Sequence, residues 1–192
     1  MKLLHGFGVN PDRKYAATTK QYQLWSDMVR RCYSVKDHIN PRFRNYAECT
    51  IVSDWSDCTK FGDWAGQQKG FGLTGFCLDK DILFSGNKVY SPQTCCFVPR
   101  EVNMCFTFRN SDRGDYPLGI TSVSLDKHGA VSSYGVCIKR GSLKKVNKSF
   151  KTIEEAVEFY KVEKESYVKH LAEKHKDVLD CRVYESLLGF RI

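Results

Sequence analysis

The sequence predicts an α+β fold in two domains, and three observations predict it. Residues 77–105, CLDKDILFSGNKVYSPQTCCFVPREVNMC, read as strand, loop, strand and helix. Three β-rich runs between residues 118 and 150, split by short turns, read as an antiparallel meander. One long amphipathic stretch then follows, the length and period of a helix that covers one face of such a sheet. The expected organisation is a strand–loop–strand–helix domain with helices ahead of it at 1–109, a polar linker at 110–116, and a domain of three strands and a long helix at 117–192.

In the first domain, apolar residues at Tyr22, Trp25, Met28, Val29 and Cys32 have helical spacing, and Arg30 and Arg31 sit where a helix carries partial negative charge. Residues 34–45, with Lys36, His38, Arg42 and Arg44 around Asn40-Pro41, read as a basic loop. Ser53-Asp54 supplies an N-cap for a short helix whose Trp55, Cys58, Phe61 and Trp64 form one aromatic stripe. The glycines from Gly66 to Gly75 make a loop, without the spacing of a phosphate cradle. Phe76–Leu83 and Thr94–Val98 are expected to pair as a hairpin around the turn signals Gly86-Asn87 and Ser91-Pro92. Pro99 ends the second strand and opens a helix that reaches about Phe108.

In the second domain the strands fall at 118–124, 130–138 and 144–150. Thr152 with Glu155 forms a capping box, and Ile153, Ala156, Val157, Tyr160, Tyr167, Val168 and Leu171 carry an amphipathic helix to about His175. Residues 183–188 add a turn or two of helix.

Composition narrows the function. The chain has 192 residues, 42% of them hydrophobic and 13% aromatic, enough to build real cores. No run approaches the roughly 18 apolar residues of a membrane span, and MKLLHGFGVNPD is too short in apolar residues for a secretory signal, so the expectation is an intracellular protein with no membrane partner. Nine cysteines are an odd number with no CxxC pair, which predicts small buried hydrophobes rather than disulfides or a structural zinc site. Lys and Arg outnumber Asp and Glu by 30 to 22, and the net charge of +8 suits a polyanion.

Two clusters carry candidate chemistry. Residues 139–151 hold Lys139, Arg140, Lys144, Lys145, Lys148 and Lys151 with no acidic residue, a concentration suited to the phosphates of double-stranded DNA. Arg42 and Arg44 in the basic loop are further phosphate contacts. In the hairpin–helix unit, Asp79 from a strand and Asn103 from a helix are expected to face each other as oxygen ligands, a pair suited to Mg²⁺ (or Mn²⁺). A hydrolytic site there also needs a base. Lys80 at its ordinary pKa of about 10.4 is protonated, and serves to stabilise charge; Asp81, on the same strand face as Asp79, is the candidate base.

These motifs together resemble a known family. LWSDMVRRCY, VSDWSDCTKFGDW, LDKDIL, GNKVYSPQTCCFVP and REVN resemble phage HNH-type endonucleases of the homing kind. YPLGITSV, SSYGVCIK and KKVNKSFKTIEEAVEFYKVEKESYVKHLAEKH resemble the AP2 DNA-binding domain that often follows them. The resemblance implies a ββα-metal core joined to a three-stranded DNA reader, metal-dependent cleavage of double-stranded DNA, and residence in the cytoplasm of an infected bacterial host. By position, Asp79 matches the strand ligand and Asn103 the helix residue. Lys80 falls where the family has its histidine base, Thr94 falls near the middle asparagine, Gly135 stands where an arginine is usual and Asn147 where a glycine is usual. The functions expected are therefore cleavage of DNA, DNA binding without cleavage, or inhibition of a host protein that handles nucleic acid.

Overall fold

The computed structural model describes residues 3–41, 43–106, 116–141 and 143–192; Arg42 and most of the expected linker, residues 110–115, lie outside them. The chain forms two compact units, Met1–Asn103 with Asp177–Val183 and Met104–Lys176 with Tyr184–Ile192. Its elements mix helices with small sheets, an α+β fold.

In the first unit α1 (Lys20–Tyr33) begins where Thr19 Oγ1 accepts the Tyr22 N–H, and it buries Trp25, Met28, Val29 and Cys32. The segment expected as a loop folds into α2 (Val35–His38) and a 3₁₀ turn at Arg44–Tyr46. Its hydrogen bonds are local: Ser34 O accepts the N–H groups of Asp37 and His38, and the His38 ring bonds Arg31 O at 2.7 Å. Four residues are too few to display a helical period, so this turn leaves no pattern in the sequence.

β1 (Thr50–Ile51) precedes α3 (Cys58–Gly66). The N-cap of α3 is Asp57, whose carboxylate accepts the Thr59 N–H; Ser53-Asp54 instead opens a separate 3₁₀ turn, Ser53–Ser56. Trp55, Phe61 and Trp64 do form one cluster, with Trp55 edge-on to Phe61 at 5.1 Å and 4.5 Å from Trp64. Trp25 Nε1 donates to Trp55 O at 2.8 Å, so the largest buried ring leaves no polar atom unpaired. Removing such a ring costs about 3–5 kcal/mol.

β2 (Phe76–Asp79), β3 (Val89–Tyr90) and β4 (Cys96–Pro99) follow, then α4 (Arg100–Phe106). β2 pairs antiparallel with β4, Phe76 opposite Pro99 and Asp79 opposite Cys96. The strand expected to reach Leu83 stops at Asp79 because that side chain turns the backbone: its Oδ1 accepts the N–H groups of both Asp81 and Ile82 at 2.8 Å. β3 joins β1 in parallel, tying the hairpin's loop back to the helical part of the unit.

In the second unit β5 (Ile120–Leu125), β6 (Val131–Arg140) and β7 (Leu143–Phe150) make an antiparallel sheet in that order. α5 (Ile153–Lys174) starts at Thr152, whose Oγ1 accepts the Glu155 N–H, and lies on the sheet. Val136, Ile138 and Ala156 are buried between them, with Tyr134, Val146, Phe150, Phe159 and Tyr160 packed around. A Cβ at Gly119, where φ is +101°, would stand 2.2 Å from the Tyr160 ring, so only glycine lets the chain enter β5 against that helix. α6 (Cys181–Leu188) ends the fold.

Candidate nucleic-acid interface

The pleat of β6 sorts its side chains. Tyr134, Val136 and Ile138 face α5, and the alternation of a strand sends Ser133, Gly135, Cys137 and Lys139 to the opposite face. Ladder partners share a face, so Ser124 opposite Ser133, Ser122 and Ser149 opposite Gly135, and Asn147 opposite Cys137 join them. This face is made of small polar side chains, with no carboxylate among them.

Space over the centre of the face is kept by Gly135. A Cβ there would meet Ser122 Oγ at 2.1 Å. The Ser122 side chain therefore occupies the space that any side chain at position 135 would need, and the surface there is low.

The cations of residues 139–148 divide between the two faces. Lys139 is exposed on the open one. A register shift between Ile138–Val146 and Arg140–Leu143 puts Lys144 and Lys145, both exposed, between two positions that face the helix side, and so on the open side beside Lys139. Arg140 turns the other way, with Nη1 3.4 Å from Glu163 Oε2 and with Nε and Nη2 donating to Lys144 O at 3.2 Å. Lys148 also lies on the helix side, its Nζ 4.8 Å from the Phe159 ring centre and 5.1 Å from that of Phe150. These two are spent on packing the sheet against α5; the three lysines are not.

In the first unit the Asp79-Lys80-Asp81 run is held inward. Asp79 is buried, and burial raises its pKa above the ordinary carboxylate value although the Ile82 and Asp81 N–H groups act to lower it. Lys80 is only 7% exposed. Its Nζ donates to Asp81 Oδ1 and, at 2.9 Å, to Asn87 O, and it lies 5.8 Å from the Tyr90 ring centre. Burial acts to lower the Lys80 pKa, but the Asp81 carboxylate outweighs it and the net direction is upward. Lys80 is thus a fixed cation.

Asn87 closes the loop from the other side. Its Nδ2 donates to Lys80 O at 2.8 Å and Val89 O at 2.7 Å, and Thr94 Oγ1 donates to the same Val89 O at 2.7 Å. Residues 79–94 form a loop tied by its own side chains, and neither the role of Asn87 nor the β1–β3 pair was foreseen. The Gly86-Asn87 turn signal was the only trace of the clip.

Asn103 on α4 reaches the strand, its Nδ2 donating to Cys77 Sγ at 3.1 Å. Cys77 is two residues from Asp79 and so on its strand face. Asn103 thereby touches β2 two residues from Asp79, on the face that alternation gives to both Cys77 and Asp79, while the Asp79 Oδ1 is turned onto the Asp81 and Ile82 N–H groups. The chain supplies there one carboxylate and one amide, a set that fits Mg²⁺ only with waters or phosphate oxygens completing the shell. Among the described residues no group of three or more His, Cys, Asp and Glu is arranged to hold a metal. Arg44 is exposed in its 3₁₀ turn. Among the described residues, no helix is long and apolar enough to cross a membrane.

No protein-family model, no curated protein and no solved structure matches this chain.

Proposed function

We propose that this protein binds double-stranded DNA through the open face of β5, β6 and β7. The observation that carries the reading is the make-up of that face: three exposed lysines at one end, serines, glycine and asparagine across the middle, and no carboxylate. Three strands spaced about 4.8 Å apart make a ribbon about 10 Å wide between outer strand axes, a match for a major groove about 12 Å wide. Lys139, Lys144 and Lys145 neutralise phosphates and release counterions. Ser122, Ser124, Ser149 and Asn147 then offer short donors and acceptors to base edges, which the low surface over Gly135 lets approach.

The test is a fluorescence-anisotropy titration of labelled duplex at several salt concentrations, with Lys139→Glu/Lys145→Glu beside wild type. Binding that weakens with salt and collapses in the double variant supports the reading; equal affinity for both removes it.

The approach of Asn103 to the strand face of Asp79 favours a second reading, metal-assisted cleavage. Asp79 and Asn103 would hold Mg²⁺, which supplies charge stabilisation at the scissile phosphate. Lys80, a fixed cation, adds charge and takes no proton, which leaves Asp81 as the base; Asp81 lies past the end of β2 rather than on the strand face of Asp79 and is paired with Lys80. Supercoiled plasmid incubated with Mg²⁺ or Mn²⁺ decides: nicking by wild type that is lost in Asp81→Asn supports cleavage, and intact plasmid with retained duplex binding leaves the DNA binder alone.

A further inference from the structure

The two most exposed large apolar side chains among the described residues are neighbours on one short turn: Val35 is 79% exposed and Ile39 78%, ahead of Met104 at 65%. They are four residues apart, and Ile39 keeps helical dihedrals, so both point to one side of α2. Beside them Ser34 is buried, and Arg31 lies against Tyr46 at 5.6 Å from the ring centre. Arg30 stacks on Phe43 at 5.4 Å and pairs with Asp27, which fixes the end of α1 beside the turn. Lys36 and Arg44 are exposed in the same segment. Its acidic residue Asp37 is half-buried and lies about 200° round the turn from Val35 at 100° per residue.

We propose that the α2 turn is a wedge for the DNA minor groove, with Val35 and Ile39 entering between base pairs and Lys36 and Arg44 on the flanking phosphates. The inference rests on the DNA-binding reading above and adds a second contact, made by the other unit. Charge chooses the occupant: cations edge the apolar tip. Size chooses between DNA and an anionic membrane. Two aliphatic side chains on a four-residue helix bury too little area to hold a lipid surface, where amphipathic helices lay down a long apolar face, but one or two such side chains are what kinks a duplex by unstacking a step.

The test uses the whole protein and a duplex of about 30 base pairs carrying a donor and an acceptor at its ends. Wild type is expected to raise energy transfer by bending the duplex; Val35→Ala/Ile39→Ala is expected to abolish that rise and weaken binding at least about tenfold, with an unchanged salt slope because no phosphate contact is lost. Both side chains are exposed, so the thermal melt should not move. Wild type that binds without bending, or a variant that bends and binds like wild type, overturns the wedge and leaves the sheet reading intact. Lys139→Glu/Lys145→Glu separates the two readings, since its failure to weaken binding removes the sheet alone. No binding of wild type to duplex at low salt removes both. Phosphatidylserine vesicles form the last arm: capture of wild type that the double alanine variant loses assigns the turn to a membrane and overturns the proposal.

Discussion

Residues 79–94 and residues 133–149 look alike as sequence, each a β-rich stretch with turns and conspicuous charge, yet the structure uses their charges in opposite ways. In the loop, Asp79 turns its carboxylate onto two backbone N–H groups and Lys80 is buried against Asp81 and Asn87. On the sheet, Lys139, Lys144 and Lys145 are exposed beside serines and an asparagine. The same contrast recurs within the basic run itself, where Arg140 and Lys148 are occupied by Glu163 and by aromatic rings. A charge is available to a ligand only if the fold has not already used it, and that is decided by strand parity and burial rather than by composition.

The comparison is broken most severely by removing an inward charge. Asp79→Ala strips the acceptor from the buried Ile82 N–H and the part-buried Asp81 N–H, at about 1–3 kcal/mol for the buried one, and should lower the denaturation midpoint more than any lysine substitution on the sheet; an unmoved midpoint would mean the loop stands without its cap. Lys80→Met, which keeps the stem and removes the charge, should cost about 1–3 kcal/mol by unpairing Asn87 O. The measurement is a urea melt, and a change below a few tenths would contradict the buried pairing. Lys148→Ala, whose ammonium stands over two rings, should cost about 0.5–1 kcal/mol and leave duplex affinity nearly unchanged; a large loss of affinity would put Lys148 on the DNA.

The smallest effect has the clearest sign. Burial raises the Asp79 pKa, so its protonated form is favoured in the folded state. Its contribution to stability is full below the unfolded carboxylate value and is lost as pH rises through the raised folded value. Asp79→Asn, which keeps an acceptor oxygen without the charge, should therefore melt above wild type at pH 7, with the gap closing on acidification into the carboxylate range. Wild type melting higher at pH 7, with its advantage lost in acid, would mean that the native carboxylate is stabilised as an anion.

Much of the fold was legible where local chemistry dominates. The Thr152 cap, the apolar faces of α1 and α5 and the three strands of the second unit follow from period and turn residues, with ends displaced by one or two residues. α2 was not legible because four residues carry no period, nor was the β1–β3 pair, since two-residue strands far apart in sequence pair by tertiary contact alone. The N-cap of α3 moved from Ser53-Asp54 to Asp57 because a 3₁₀ turn intervenes. At the interface the cluster of cations was visible but its division was not. The parity of Ser133, Gly135, Cys137 and Lys139 was there to be read, whereas the shift that brings Lys144 and Lys145 to one side depends on the register with β6.

The central claim is that the open-face lysines, and not the helix-side cations, meet DNA. Salt dependence of duplex binding measures it most directly, comparing Lys139→Ala/Lys145→Ala with Arg140→Ala/Lys148→Ala. The first pair should flatten the slope of log affinity against log salt by about 1.8, two phosphate contacts at about 0.9 each, and the second should leave it unchanged; equal slopes for the two pairs, or flattening by the second alone, would contradict it.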